Sequence, residues 1–174
     1  MFPPTPKLPT TPVVVIDGFC GIGGNAISFA LSPQVTKVIA IDLNPLAIVC
    51  ARNNARIYGV SAKISFIRGD FFSLIPQLRE SPVSAVFLSP PWGGPGYRDD
   101  RVFDLNGMRP YNLGYIVKQA RKVSRNLAIY LPRTSNLNQL QAVLEGEEEM
   151  EVVHYCLAGK SKVSHPSSSF PRRY

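Results

Sequence analysis

Apolar residues in this chain come in short unbroken runs separated by longer amphipathic stretches, the pattern of buried strands alternating with helices. Val13-Val14-Val15-Ile16-Asp17 reads as a strand buried on both faces, Gly18 to Gly24 as a tight loop, and Asn25 to Leu31 as a short helix. Lys37 to Asp42 predicts a second strand. Asn44 then caps, and Pro45 opens, a helix that runs to about Tyr58 and stops at Gly59. Four further strands follow from Lys63 to Arg68, Ser84 to Leu88, Leu127 to Leu131 and Glu151 to Leu157. The helices between them span Phe71 to Arg79, Leu113 to Arg125 and Leu137 to Leu144. Strands and helices alternating at this spacing imply right-handed crossovers and an α/β fold built on a mostly parallel, doubly wound sheet.

The ends of the chain break this rhythm. Five prolines fall within residues 1–12, where fixed dihedrals and missing N–H donors exclude a helix or a central strand, so this is a lead-in arm. Residues 164–174 form a Ser/Pro-rich basic tail with no strand signal. A proline among serines after Lys162 makes a poor inner strand, so a strand beyond Leu157 is expected to be frayed or absent. One folded domain over 13–163 remains, which suits a length of 174 residues and a composition 45% hydrophobic and 18% charged.

Composition narrows the function classes. No apolar run reaches the roughly 18 residues that a membrane span needs, and the first residues do not read as a charged and then apolar leader. Three scattered cysteines and two histidines are too few for a disulfide scaffold or a structural zinc cage, which points to a reducing compartment and no metal. Cys20 and Cys50 read as packing residues. Lys and Arg number 19 against 12 Asp and Glu, a net charge of +7, which favours an anionic partner such as nucleic acid.

In an open parallel sheet the ligand lies beyond the carboxyl ends of the strands, and four candidate groups fall there. Asp17 runs into a glycine loop containing Gly21 and Gly23; Asp42 ends the second strand; Asp70-Phe71 follows the third; Ser89-Pro90-Pro91-Trp92 follows the fourth. A strand-to-helix turn explains the glycine loop alone, but Asp42 stands eighteen residues after Gly24, where an acidic residue grips ribose hydroxyls. Asp70 alone reads as a helix cap; at a strand end its carboxylate can also accept from an adenine amine while Phe71 covers the ring. The loop lacks the full G-x-G-x-x-G pattern that cradles a pyrophosphate. Asp17 beside it suits a cationic amino-acid moiety, which favours S-adenosylmethionine as a methyl donor.

The paired prolines of Ser89-Pro90-Pro91-Trp92 lock a turn that offers the Ser89 hydroxyl and the Pro90 carbonyl as acceptors for the two hydrogens of a flat exocyclic amine. Trp92 offers a face for the base, with a cation–π gain if the base carries a positive charge, as guanine methylated at N7 does. Such an amine is a weak nucleophile, but alignment toward a sulfonium methyl can supply roughly 7–11 kcal/mol of the barrier, so no histidine or glutamate base is required.

Asp17-Gly-Phe-Cys-Gly-Ile-Gly-Gly-Asn25, Ala51-Arg-Asn-Asn-Ala55 with Tyr58-Gly59, Gly69-Asp70-Phe71, Ser89-Pro-Pro-Trp-Gly-Gly-Pro95 with Tyr97, and Leu131-Pro132-Arg133 together resemble the trimethylguanosine synthase family over about residues 13–163. The resemblance implies a Rossmann-like class I methyltransferase fold. It implies transfer of methyl groups from S-adenosylmethionine to the N2 amine of N7-methylguanosine RNA caps, giving the N2-methylated and then the N2,N2-dimethylated form and S-adenosylhomocysteine. It further implies cofactor roles for Asp17, Asp42 and Asp70, base stacking on Trp92, amine contact at Ser89 and Pro90, and triphosphate contact at Tyr97, Arg133 and Lys162. Capped small nuclear and nucleolar RNAs are the implied partners, and the nucleus or nucleolus the implied location, with the cytoplasm as a second site.

The family carries a helical extension ahead of the first strand, whereas sixteen residues precede Asp17 here. Weak cofactor binding is expected unless a protein partner or a further segment completes the site. Another nucleic-acid amino-methyltransferase, on guanine N2 or adenine N6 of ribosomal or transfer RNA, and an RNA-binding remnant without turnover remain as alternatives. Finally, Lys118, Arg121, Lys122 and Arg125 share one predicted helix face, read either as a solvated face or as a track for RNA beyond the cap.

Overall fold

A computed structural model describes residues 11–94, 101–146, 148–157 and 160–167, the stretches 154–157 and 160–167 by their backbone alone. Seven strands form one sheet in the order β3-β2-β1-β4-β5-β7-β6. They are β1 (Val14–Asp17), β2 (Lys37–Asp42), β3 (Ile64–Arg68), β4 (Ala85–Leu88), β5 (Leu127–Ile129), β6 (Glu151–Leu157) and β7 (Lys160–Ser167). The first five pair in parallel, and β7 enters antiparallel between β5 and β6. Among the described residues five α-helices accompany them: α1 (Gly24–Leu31), α2 (Pro45–Ile57), α3 (Phe71–Leu78), α4 (Leu113–Ala120) and α5 (Leu137–Gln141). Among the described residues no helix is long and apolar enough to cross a membrane.

The unbroken apolar runs are explained by two cores. Successive strand residues point to opposite faces, so Val15, Val38 and Ala40 pack with Ala26, Ile27 and Ile48 of α1 and α2. Their neighbours Ile16, Ile41, Val86 and Leu88 pack with Phe71, Ile75, Ile116 and Leu140 of α3, α4 and α5. Four helices start on a side-chain cap. Asn44 accepts from the Leu46 and Ala47 amides with Pro45 next in the chain, Asp70 from Ser73, Asn112 from Tyr115 and Asn136 from Asn138.

Several expected boundaries shift. Helix α4 stops at Ala120, and the Lys122 and Val123 amides tighten to i−3 carbonyls. Arg121, closing that helix, turns to Glu145 at 3.3 Å and to Glu148. Arg121 is thus drawn off the predicted basic face by two carboxylates, while Lys118, Lys122 and Arg125 stay exposed, Lys122 donating to the Gln119 side chain at 2.7 Å. Helix α5 ends at Gln141, three residues short of the expected Leu144.

The larger correction is β7. It includes Pro166, opposite Val152, and crosses the expected domain boundary at residue 163. Only every second residue of an antiparallel strand exchanges ladder hydrogen bonds with a given neighbour. Toward β5, moreover, the register holds at the single pair Ala128 and Ser167, so a proline one residue earlier is tolerable.

Gly18, one residue past β1, sits where the two central strands and α3 meet. Its amide donates to the Phe87 carbonyl at 3.0 Å, and an added Cβ would stand 2.5 Å from Leu88 Cδ2 and 3.0 Å from the Phe71 ring. Both neighbours are fully buried and cannot swing away. Gly18→Ala is expected to destabilise the fold by about 1–3 kcal/mol through overpacking, seen as a lower urea midpoint at unchanged slope.

Candidate functional site

The strand order reverses between β1 and β4, and the crevice at that switch point is where the sequence-picked residues gather. Asp17 pairs in register with Ala40 of β2 and Phe87 of β4, so its side chain lies at the centre of the carboxyl-end rim. It is 0% exposed, and among the described residues neither carboxylate oxygen meets a hydrogen-bond partner. Burial pushes its carboxyl up to about 7; the nearby Phe19 and Ala26 amides temper the rise without closing a bond, and Asp42 adds a little to it. A buried carboxylate without a donor is an unpaired demand for positive charge. The same burial, with Asp17 and Asp42 close by, pushes the Cys20 thiol up to about 12, which removes it as a nucleophile.

The glycine loop is held from two sides. On one side the Gly21 amide donates to Asp42 Oδ2 at 2.8 Å, while Asp42 Oδ1 takes the Asn44 amide at 2.8 Å. Each oxygen keeps a lone pair for a further donor. From below, Asn54 of α2 donates its side-chain amide to the Ile22 carbonyl at 3.0 Å. Gly23, at φ 91°, lies so close to Ala51 that a Cβ would stand 3.0 Å from the alanine Cβ. The Ala51-to-Ala55 run thus acts as the bed of the loop, a role its sequence alone did not disclose.

Asp70 is the cap of α3 through Oδ2, which accepts from the Ser73 amide at 3.1 Å and hydroxyl at 2.8 Å. Phe71 departs from expectation. Its ring is 1% exposed, packed beneath Gly18 and beside Phe72, so it is a core residue and offers no face to a base. The aromatic surface near Asp70 belongs instead to Tyr111 and Tyr115, stacked at 5.1 Å over the buried Phe72, whose ring centroid lies 4.5 Å from that of Tyr111. Burial, with the Asp70 charge second, raises the Tyr111 hydroxyl above its ordinary value.

At the end of β4, Ser89 is half-buried, Pro90 buried and Pro91 exposed. The half-buried Trp92 donates its indole N–H to the Tyr130 carbonyl at 3.2 Å, and its ring stacks on the Tyr130 ring at 5.7 Å and 21°. Arg133 stands exposed three residues past Tyr130, over a hollow of about 320 Å³ shared with Thr134, Ser135 and Asn136. Tyr97 lies outside the described residues, as does the side chain of Lys162, whose backbone belongs to β7.

A family model for RNA cap guanine-N2 methyltransferases matches residues 13–165. This chain belongs to that family. The match ends within β7, two residues beyond the boundary that the sequence pattern suggested. The trimethylguanosine synthase of Schizosaccharomyces pombe is 35% identical over 154 residues, 87% of this chain, and that of Saccharomyces cerevisiae is 40% identical over 129 residues, 72% of this chain. The aligned stretches span 63% and 40% of the lengths of those two proteins. Among solved structures, a SAM-dependent methyltransferase from Agrobacterium tumefaciens superposes with a TM-score of 0.61 at 18% identity, over 94% of this chain and 58% of the other. That likeness supports the Rossmann-like class I fold expected from the strand pattern.

The state of Asp17 is testable without a ligand. Because its carboxyl is raised from an ordinary 3.8 to about 7, the folded protein holds a proton that the unfolded chain has released, and stability falls as pH rises from 4 to 7. Asn at this position does not titrate. The stability of Asp17→Asn relative to wild type should therefore climb across pH 4 to 7 and level off above, in urea melts at stepped pH; a difference flat with pH would contradict the raised value.

Proposed function

We propose that this chain is the catalytic core of an enzyme that methylates the N2 amine of N7-methylguanosine RNA caps with S-adenosylmethionine. The observation that carries the reading is the pairing, across β1 and β4, of an orphaned buried carboxylate with a rigid Ser-Pro-Pro-Trp turn whose indole is clamped from behind. The first demands a cation and the second suits a flat amine-bearing base. Family membership supports both the donor and the acceptor.

The donor-binding residues fit a nucleoside with a cationic amino-acid arm. Asp17 would pair with the α-ammonium, recovering its missing partner. Asp42 would accept from ribose hydroxyls on its spare lone pairs, and Asp70 Oδ1 would accept from the adenine amine, with the Phe72, Tyr111 and Tyr115 cluster close by. Ile22 and Leu43, 62% and 64% exposed beside the loop, provide apolar surface for such a ligand to cover. S-adenosylmethionine supplies an electrophilic methyl on sulfur.

The protein's own share is orientation. The Ser89 hydroxyl and the Pro90 carbonyl accept the two amine hydrogens, aim the nitrogen lone pair and hold the base plane, while Trp92 stacks on the purine. A ring carrying the N7 methyl is cationic and gains a further ~0.5–2 kcal/mol from the indole face. The amine sheds its extra proton to water after the transfer, so no general base is needed at the site. Arg133, with Tyr97 and Lys162, is the reading's choice for the cap phosphates. A nuclear or nucleolar location and capped small RNAs as partners follow as corollaries. A partner or a further segment that completes the donor site belongs to the same reading.

Labelled S-adenosylmethionine should give product on an N7-methylated cap dinucleotide and not on its unmethylated form. Turnover confined to other nucleic acids would move the chain to another amino-methyltransferase, and RNA binding without turnover would make it a remnant. Trp92→Ala should lower kcat/KM on the cap by about 5- to 150-fold, from ~1–3 kcal/mol of lost stacking, with S-adenosylhomocysteine affinity within twofold of wild type.

Donor binding should follow the ionisation of Asp17. With its carboxyl near 7 in the free site, S-adenosylhomocysteine affinity by calorimetry should fall about tenfold from pH 8 to pH 6. Asp17→Asn should remove that slope along with most of the affinity.

A further inference from the structure

Past the acceptor turn, on the same rim of the sheet, lies a hollow that neither the turn nor the donor site uses. From Tyr130, whose carbonyl takes the Trp92 indole N–H, the chain runs through Leu131 and Pro132 to Arg133, which lines a space of about 320 Å³. Two segments tied to each other wall it. The Phe103 amide donates to the Thr134 carbonyl at 2.7 Å and the Asn136 amide to the Phe103 carbonyl at 3.1 Å, a parallel bridge that holds the Val102 segment against the loop leading into α5. The frame closes where the Ser135 hydroxyl donates to the Pro132 carbonyl at 2.7 Å and the Gln139 carboxamide to Asp104 at 2.6 Å.

The lining combines two chemistries. Val102 and Leu137, one from each segment, are large aliphatic residues left 61% and 56% exposed. Between them stand the Thr134 hydroxyl and the carboxamides of Asn136 and Asn138, neutral groups that offer both donors and acceptors. Among the described residues no carboxylate lines the hollow, so it does not suit a cation. Aliphatic surface to cover a flat ring, with neutral polar groups at its edge, suits a base presented from a single strand.

We infer that this hollow seats the first transcribed nucleotide of the capped RNA, with Val102 and Leu137 against its base and Asn136 and Asn138 at the base edge. The inference rests on the cap reading, which puts the triphosphate at Arg133. Arg133 lines the hollow, and the group joined to the far end of that triphosphate is the first nucleotide. The frame that ties the two walls exists before any RNA arrives, so little ordering is required on binding.

Calorimetry with S-adenosylhomocysteine present compares two ligands. N7-methyl-GTP ends at the triphosphate, whereas the N7-methylated cap dinucleotide carries the next nucleotide as well. The ratio of their affinities cancels what cap and phosphates contribute in each protein. In the double variant Val102→Ser, Leu137→Ser, the dinucleotide-over-mononucleotide ratio should fall about three- to tenfold, the size expected when two aliphatic side chains no longer cover part of a base. Affinities for N7-methyl-GTP and S-adenosylhomocysteine should stay within twofold of wild type. Asn138→Ala should lower the same ratio about threefold through the base edge.

An unchanged ratio in the double variant overturns the inference. So does a loss of both cap ligands and S-adenosylhomocysteine together, which marks a structural effect. If the double variant does not fold, Asn138→Ala decides: a selective loss of dinucleotide affinity upholds the hollow's role, and a wild-type ratio rejects it. Wild-type protein that binds neither N7-methylated ligand overturns the cap reading and this inference with it, whereas wild-type protein that binds both, with a ratio the variants leave unmoved, overturns the inference alone.

Discussion

A carboxylate removed from water with no hydrogen bond closed to it is costly to keep charged, and among the described residues Asp17 occupies that position at the centre of the sheet. The surrounding architecture makes the cost unavoidable. Asp17 has neighbours on both sides in register, β2 and β4, and Gly18 leads straight into the core against Leu88 and the Phe71 ring. The side chain cannot turn to solvent without breaking the strand, and burial pushes its carboxyl up to about 7, so below that pH it holds a proton. On the proposed reading an arriving cation would draw that proton off, and stability would be given up where binding needs it.

Much of the fold was legible in the residues. Runs such as Val13 to Ile16 announce strands covered on both faces, and Asn44-Pro45 announces the start of α2 with its cap and first residue. The site was legible where a strand end carries a chemically distinctive group: Asp17, Asp42 and the Ser89 to Trp92 turn all stand on the rim that the pattern predicted. Boundaries were less legible. A helix that ends in Arg121-Lys122-Val123 has a period consistent with continuation, but Glu145 and Glu148, more than twenty residues away in sequence, capture Arg121 and the helix tightens and stops. Pro166 argues against a strand by its own chemistry, yet the ladder leaves places where a missing donor does no harm.

What sequence order concealed most was partnership across long separations. Asn54 and Ile22 are 32 positions apart, and Trp92 and Tyr130 are 38 apart. Nothing in either local pattern joins them. The Phe71-Phe72 pair shows a subtler failure. Adjacent aromatic residues at a helix start look interchangeable on paper, but the helix turns Phe71 beneath Gly18 and leaves Phe72 beside the tyrosines that flank Asp70. Side-chain direction, fixed by the helix and not by residue type, decides which ring packs under the loop and which meets the tyrosines.

The two cores also divide the labour. The layer of α1 and α2 seats the glycine loop and Asp42, while β4, β5 and the layer of α3, α4 and α5 carry the turn, Trp92 and Tyr130. The sheet lies between them as a partition. On the proposed reading the second layer would carry both the adenine contact at Asp70, which caps α3, and the acceptor contacts of the Ser89 turn, so a shift of that one layer would be felt by donor and acceptor together.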